Sequence, residues 1–382
     1  MINKAGVFLS IAAILLVLVD AFESVVLPRR VGRKFRLSMI FYRTFWPFWK
    51  MLARGIRFAK TRHTFLSIFG PFSLLVLFGV WALVLILAFA TLNWSLATRL
   101  VMAVPGPADL LAYLYMSGVT FFTLGFGDVT PGNPLGRLVI VIESGIGFGF
   151  LAIVIGYMPV LYQAFSKREA SISLLDARAG SPPSAAQLLI RFARTGSLSQ
   201  LDVFLLEWER WSAELLESTI SFPALAYYRS QHDNQSWLGA VTAVLDTCAI
   251  AMSAESGTNT YQAQVTFAMA RHAVVDISLI MNAAPLPLER DRLSDGACKR
   301  LIDVFAQTGL ALDPNTGLKR MKELRAMYEP FVHGLARRLV VELPPIAPDA
   351  PMSDNWQSSA WTRKVDGIDR LASIGTDDRH FD

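Results

Sequence analysis

Thr120-Phe121-Phe122-Thr123-Leu124-Gly125-Phe126-Gly127-Asp128-Val129-Thr130-Pro131 decides how this chain is read. Two glycines, one residue apart, follow a threonine and precede an aspartate. Just upstream, Asp109 to Val119 reads as a short helix introduced by Pro105-Gly106-Pro107. The whole stretch, Ala108 to Pro134, is too short for a domain and lies between two long apolar runs. A lone Gly-x-Gly is usually a turn. Gly147-Phe148-Gly149 repeats that tripeptide, but it sits mid-helix with no short helix before it and reads as helix packing.

The flanking runs are long enough to cross a bilayer. Residues 65–98 contain no charged side chain, and Phe65 to Trp94 makes roughly 45 Å of helix at about 1.5 Å per residue. A hydrocarbon core needs about 20 residues. Gly70-Pro71 is a candidate kink. Leu138 to Phe165 is the second run, with Glu143 as its one charge. Ala5 to Leu27 is the third and weakest, ending with Asp20 and Glu23. It lacks a small-residue cleavage site near Asp20 to Ser24, so a retained helix is expected rather than a signal peptide.

Composition agrees. Of 382 residues, 53% are hydrophobic and 18% charged, against about 25% charged in a soluble domain. That excludes a disordered chain, a collagen or an ordinary soluble enzyme. Two cysteines exclude a disulfide scaffold. Residues 1–166 hold 14 Lys/Arg against 5 Asp/Glu, and residues 167–382 hold 22 against 26. A basic apolar half precedes a mildly acidic, ordinary half. The basic residues flank apolar runs, so a membrane explains them and a nucleic-acid partner is not expected.

Between Leu27 and Thr64 there are 11 Lys/Arg and no Asp/Glu. The positive-inside bias puts residues 28–64 in the cytoplasm and the N-terminus outside, and returns the C-terminal half to the cytoplasm. Phe41, Tyr42, Phe45, Trp46, Phe48 and Trp49 are interleaved with those charges. Aromatics among basic residues suit a helix at the headgroups, with anionic lipid as a contact.

The segment Thr123-Leu124-Gly125-Phe126-Gly127-Asp128 resembles the T-x-G-[Y/F]-G-D filter of the potassium-channel pore family, and Leu135-Gly136-Arg137 resembles that family's entry to the inner helix. The resemblance covers about residues 65–165. Phe122 stands where a second threonine is common, and Leu124 and Phe126 replace the commoner Val and Tyr. The resemblance implies K⁺ held by Thr123, Leu124, Gly125 and Phe126, with four chains each giving one filter strand. The sequence holds one filter and no internal repeat, so a homotetramer follows.

Elementary chemistry supports the motif. A dehydrated cation needs oxygens to replace its water shell, and backbone carbonyls supply them without fixed charge. Lining them up requires alternating, partly left-handed backbone angles, which Gly125 and Gly127 adopt without steric cost. Thr123 adds its hydroxyl at the inner end. Phe126 is expected to point away and pack against the short helix, and the Asp128 carboxylate to lie at the outer mouth.

Gly147 lies 24 residues after Thr123, which resembles the family's hinge spacing, and Pro159 is a candidate kink near a gate. Glu143 is an intramembrane carboxylate, which defaults to a functional reading. Bracing the filter from behind and facing the ion path are both open. Asp20 and Glu23 share a helix face and are expected to pair with the basic linker.

After Gly180-Ser181-Pro182-Pro183-Ser184, helices are predicted over 185–194, 200–218, 235–254, 258–283, 294–308 and 315–341. No Gly-rich βαβ fingerprint, β-roll, zinc spacing or Glu-x-x-His pair is present. The polar residues among them, such as Glu209, His232, Asp233, Asp246 and His272, read as salt-bridged helix surfaces. Trp208, Trp211 and Cys248 read as core.

The reading is an all-α membrane protein with three transmembrane helices, a re-entrant pore helix and filter, and a cytoplasmic all-α domain. Its divisions are 1–27, 28–64, 65–166, 167–343 and a disordered tail, 344–382. The expected function is a K⁺-selective channel of the plasma (cell inner) membrane, not an enzyme. It needs no cofactor, K⁺ being the cargo, and no regulatory ligand is legible. A non-selective cation channel and a membrane sensor with a vestigial pore stand as alternatives.

Overall fold

The computed structural model describes residues 2–26, 36–104, 106–194, 198–230, 234–254, 260–287, 291–293, 295–306 and 311–348. The start of the basic linker, His232, Asp233 and residues 349–382 lie outside these. The chain forms two compact units, Met1–Gln163 and Ala164–Asp382.

In the first unit, α1 (Lys4–Ala21) is capped by the Asn3 side chain and ends in a π-turn, Phe22–Val26. Helix α2 (Leu37–Arg54) follows, then α3 (Ala59–Ser95). Pro71 lies inside α3, which continues through it, and Ser73 Oγ donates to the Gly70 carbonyl at 2.8 Å. A short strand β1 (Leu100–Met102), helix α4 (Leu110–Phe121), strand β2 (Val129–Pro131) and helix α5 (Pro134–Ala179) complete the order. Among the described residues, three helices are long and apolar enough to span a membrane: Lys4–Val25, Lys60–Ser95 and Pro134–Ala179.

Helices α1 and α3 are held at one end by the Asn3 N–H on the Ser95 carbonyl at 2.8 Å, and along their length by Ser10 and Thr91, whose hydroxyls are 2.9 Å apart. At the other end a buried carboxylate joins three helices. Asp20 accepts from the Ser38 backbone N–H at 2.9 Å, the Ser38 hydroxyl at 3.1 Å and the Trp81 indole at 3.0 Å. Ser38 is in the first turn of α2, so Asp20 caps that helix from α1. Arg36 and Glu23 lie on the same cluster, Arg36 Nε being 3.7 Å from Asp20 and 3.8 Å from Glu23.

Helix α2 lays its aromatic face on α3. Trp49 stacks on Phe65 at 4.4 Å and donates its indole N–H to the Phe65 carbonyl, and Trp46 packs edge-on against Phe69. The basic linker is thus a structured helix over residues 37–54.

The second unit contains the end of α5, then α6 (Ala185–Arg194), α7 (Leu201–Ser221), α8 (Trp237–Ala251), α9 (Thr260–Ile280), α10 (Asp295–Ala306), α11 (Thr316–Ala326) and α12 (Glu329–Leu339). All of α8 is buried, as an all-round apolar helix requires. Ser236 caps it, accepting from the Gly239 N–H at 2.9 Å. Helices α7 and α9 run antiparallel, with Thr266 donating to the Leu205 carbonyl and Gln262 to Glu209.

Four expectations are corrected. The helix predicted over 315–341 is two helices, because Pro330 sits in the first turn of α12 and lacks the donor to continue α11. The inner apolar helix does not stop near Phe165 but runs to Ala179, since Lys167–Arg178 contains no breaker. Residues 344–348 are not a loose tail: Ile346 is buried and its carbonyl accepts from Ala186 N–H and Ser184 Oγ, while Pro344 accepts from Arg292. Asp246 is no surface charge; it is buried beneath Arg292, Glu329 and Tyr328. The β1–β2 ladder, pairing Leu100 with Pro131 and Met102 with Val129, was not predicted because three-residue strands show no alternation.

Candidate functional site: the segment Thr123–Asp128

Helix α4 positions the segment. Asp109 caps its start, its carboxylate accepting from Ala112 N–H at 3.0 Å. One face is buried through Tyr113, Met116, Ser117 and Phe121. Tyr113 and Met116 pack with Ala90 of α3 and against Val129 and Ile140. Tyr113 Oη donates to the Thr98 carbonyl at 2.6 Å, and Ser117 Oγ to the Ile86 carbonyl at 2.9 Å. Gly147 of α5 meets the end of α4 so closely that a Cβ there would collide with the Phe121 carbonyl oxygen. Gly147 is therefore a contact point, whatever else it does.

Beyond Phe121 the helix ends and the backbone changes hand. Thr123 has φ +56°, Gly125 +64° and Gly127 +75°, with Leu124 and Phe126 between them on the ordinary side. The alternation expected at Gly125 and Gly127 is present, and it extends to Thr123. A β-branched residue at positive φ is strained. Sequence gave no signal for it, since threonine does not advertise a left-handed conformation.

Asp128 closes the segment. Its Oδ2 accepts from Tyr115 Oη at 2.8 Å, its Oδ1 from the Val129 N–H at 3.1 Å, and its carbonyl from the Ala103 N–H at 2.8 Å. Tyr115 belongs to α4, so both ends of the segment are tied to one short helix. Tyr115 was not singled out in the sequence; a tyrosine 13 residues before the aspartate carries no spacing signal of its own.

Phe126 does not pack against α4 of its own chain. It is 65% exposed, because the buried face of α4 is already occupied by α3 and α5. Leu124 and Phe122 are likewise exposed.

Glu143 is fully buried and its Oε1 meets Ser117 Oγ in a short hydrogen bond, while Oε2 has no partner. Ser117 Oγ is within donor reach of both the Glu143 carboxyl and the Ile86 carbonyl, so it links α5 to α3 through α4. Glu143 thus lies behind α4 rather than along the exposed face of α5. Pro159 lies within α5, which continues through it.

Residues 74–163 match the family model for ion channels. This segment is similar to an ion-channel pore. The matched stretch of the pore takes in most of α3, all of α4 with Thr123–Asp128, and the first two-thirds of α5. No curated protein and no solved structure shows a match to the chain. The pore's own helix α5 leaves Leu138, Val141, Phe148, Leu151 and Ile155 exposed within one chain.

Proposed function

We propose that this protein is a K⁺-selective channel in which four copies surround one axis and carry K⁺ passively down its electrochemical gradient. The observation that carries this reading is the alternation of backbone hand at Thr123, Gly125 and Gly127. Successive left- and right-handed residues turn successive carbonyls to one side, giving rings of oxygen when copies gather about the axis. Carbonyls of Thr123, Leu124, Gly125 and Phe126 then replace the water shell of K⁺, with the Thr123 hydroxyl as the innermost oxygen. Asp128, held by Tyr115, attracts cations at the outer mouth.

The exposed apolar side chains support assembly. One chain leaves Phe126 and a long face of α5 without cover, and neighbouring copies supply it. Glu143 braces the short helix, and through it the filter. Gly147 and Pro159 are the points at which α5 would bend to gate. The chain lies in the plasma (cell inner) membrane with its N-terminus outside, following the 11 positive charges between Leu27 and Thr64. The second unit is then cytoplasmic and governs gating or assembly.

The test is the reversal potential of the purified chain in liposomes under opposed K⁺ and Na⁺ gradients. A potential close to that of K⁺ is expected. A value near zero replaces this reading with a non-selective cation channel. Absence of flux, together with an unchanged cellular phenotype in Gly125→Ala, replaces it with a membrane sensor.

A further inference from the structure

Helix α2 carries three distinct faces. At 100° per residue, Ser38, Tyr42, Phe45, Trp46, Trp49 and Ala53 fall together in one sector of about 100°. Of these, Ser38, Trp46 and Ala53 are buried, and Trp46 and Trp49 pack on α3. Ile40, Phe48, Met51 and Leu52 fall in a second sector and are 48%, 51%, 59% and 45% exposed. Arg43, Lys50 and Arg54 fall in a third, within about 40° of one another, with Arg43 and Arg54 exposed. The apolar and basic sectors are adjacent on the side turned away from α3.

We infer that this outer side of α2 is a binding surface for anionic phospholipid, with the apolar sector in the acyl chains and the Arg43–Lys50–Arg54 stripe on the headgroup phosphates. Three observations favour lipid over another occupant. The apolar sector is continuous with a helix that spans the membrane, since α2 is stacked along residues 65–72 of α3. Arg43 and Arg54 of the stripe are exposed, and the sequence from Leu27 to Thr64 contains 11 Lys/Arg and no Asp or Glu. A helix with separate apolar and basic faces suits the headgroup boundary, where each basic residue favours an anionic surface about fivefold, or ~1 kcal/mol.

The site is built rather than adventitious. Asp20 caps α2 through Ser38 and fixes its start, and the Trp49 indole N–H on the Phe65 carbonyl at 3.2 Å fixes its far half. The helix is presented to the membrane surface in one orientation, with the stripe along one edge.

The experiment titrates the detergent-solubilised full chain with dansyl-labelled phosphatidylglycerol or dansyl-labelled phosphatidylcholine and reads energy transfer from tryptophan. The wild type is expected to prefer the anionic lipid at least fivefold. The Arg43→Gln/Lys50→Gln/Arg54→Gln variant, altered only on the helix surface, is expected to lose most of that preference. Raising salt from about 0.1 M to about 1 M shortens screening from ~10 Å to ~3 Å and should do the same. Equal transfer from both lipids in the wild type, as a face covered by a second copy would give, overturns the inference. So does a preference that survives in the triple variant with an unchanged circular dichroism spectrum. The assay needs no ion flux. A protein that prefers phosphatidylglycerol but conducts nothing refutes the channel reading alone.

Discussion

The Asp20 carboxylate and the Trp81 indole N–H, 3.0 Å apart and both buried, tie α1 to α3. The same carboxylate caps α2 at Ser38. Asp20→Ala strands the Trp81 and Ser38 donors and leaves Arg36 with Glu23 and Ser24 alone. The expected cost is about 3–5 kcal/mol, as for breaking a buried charged cluster. Asp20→Asn keeps one acceptor and should cost less. Thermal midpoints of the detergent-solubilised chain check the order; equal midpoints for wild type and Asp20→Ala contradict it.

The pairing of Glu143 with Ser117 makes a sharper demand. A carboxamide at 143 keeps an oxygen that accepts from Ser117 Oγ. Glu143→Gln should therefore retain stability and the K⁺/Na⁺ permeability ratio. Glu143→Ala should lose about 1–3 kcal/mol and shift the ratio toward unity. A Glu143→Gln protein as impaired as Glu143→Ala argues for an ionised carboxylate.

Gly147 and Gly145 form an internal control. A Cβ at Gly147 collides with the Phe121 carbonyl, whereas one at Gly145 meets nothing within 4 Å in the chain. Gly147→Ala should destabilise by about 1–3 kcal/mol through overpacking. Gly145→Ala should be neutral, or stabilise by up to about 1 kcal/mol from helix propensity. Midpoints that fall equally in the two variants remove the packing account of Gly147.

In the second unit, burial lowers the pKa of His333 below its ordinary 6.5; Glu329 opposes this, while Arg292 and Arg325 add to it. The folded chain therefore binds fewer protons there than the unfolded chain. That contribution to stability is complete above about pH 6.5 and is lost as pH falls below it. His333→Gln should flatten part of the decline in thermal midpoint between pH 7.5 and 5.5, both pH values being about one unit from the ordinary histidine pKa. An unchanged slope removes His333 as its source.

Much of the pore was legible because its determinants are local. Charge-free runs announce α1, α3 and α5, Asp109 announces the start of α4, and glycine announces positive φ at two positions. What stayed hidden depends on partners far apart in sequence. Asp20 meets Trp81 across 61 residues, and Asp246 meets Tyr328 across 82. Nothing in the neighbourhood of Asp246 marks it as the base of a buried network with Arg292 and Glu329, whereas Cys248, read as core from its apolar helix, is buried, which pushes its thiol pKa up. The Thr123 conformation was hidden for another reason: it is imposed on a residue that does not prefer it.

The reversal of backbone hand at Gly125 separates shape from space. A Cβ built there meets nothing within 4 Å in its own chain, yet φ is +64°. Crowding within the chain therefore does not reserve the position for glycine; chirality does. Of the two mirror-image alanines, the D form takes this angle without strain and the L form does not. A semisynthetic chain with D-alanine at 125 should conduct where ordinary Gly125→Ala fails, and the mirror preference itself would report the local hand of the conducting thread.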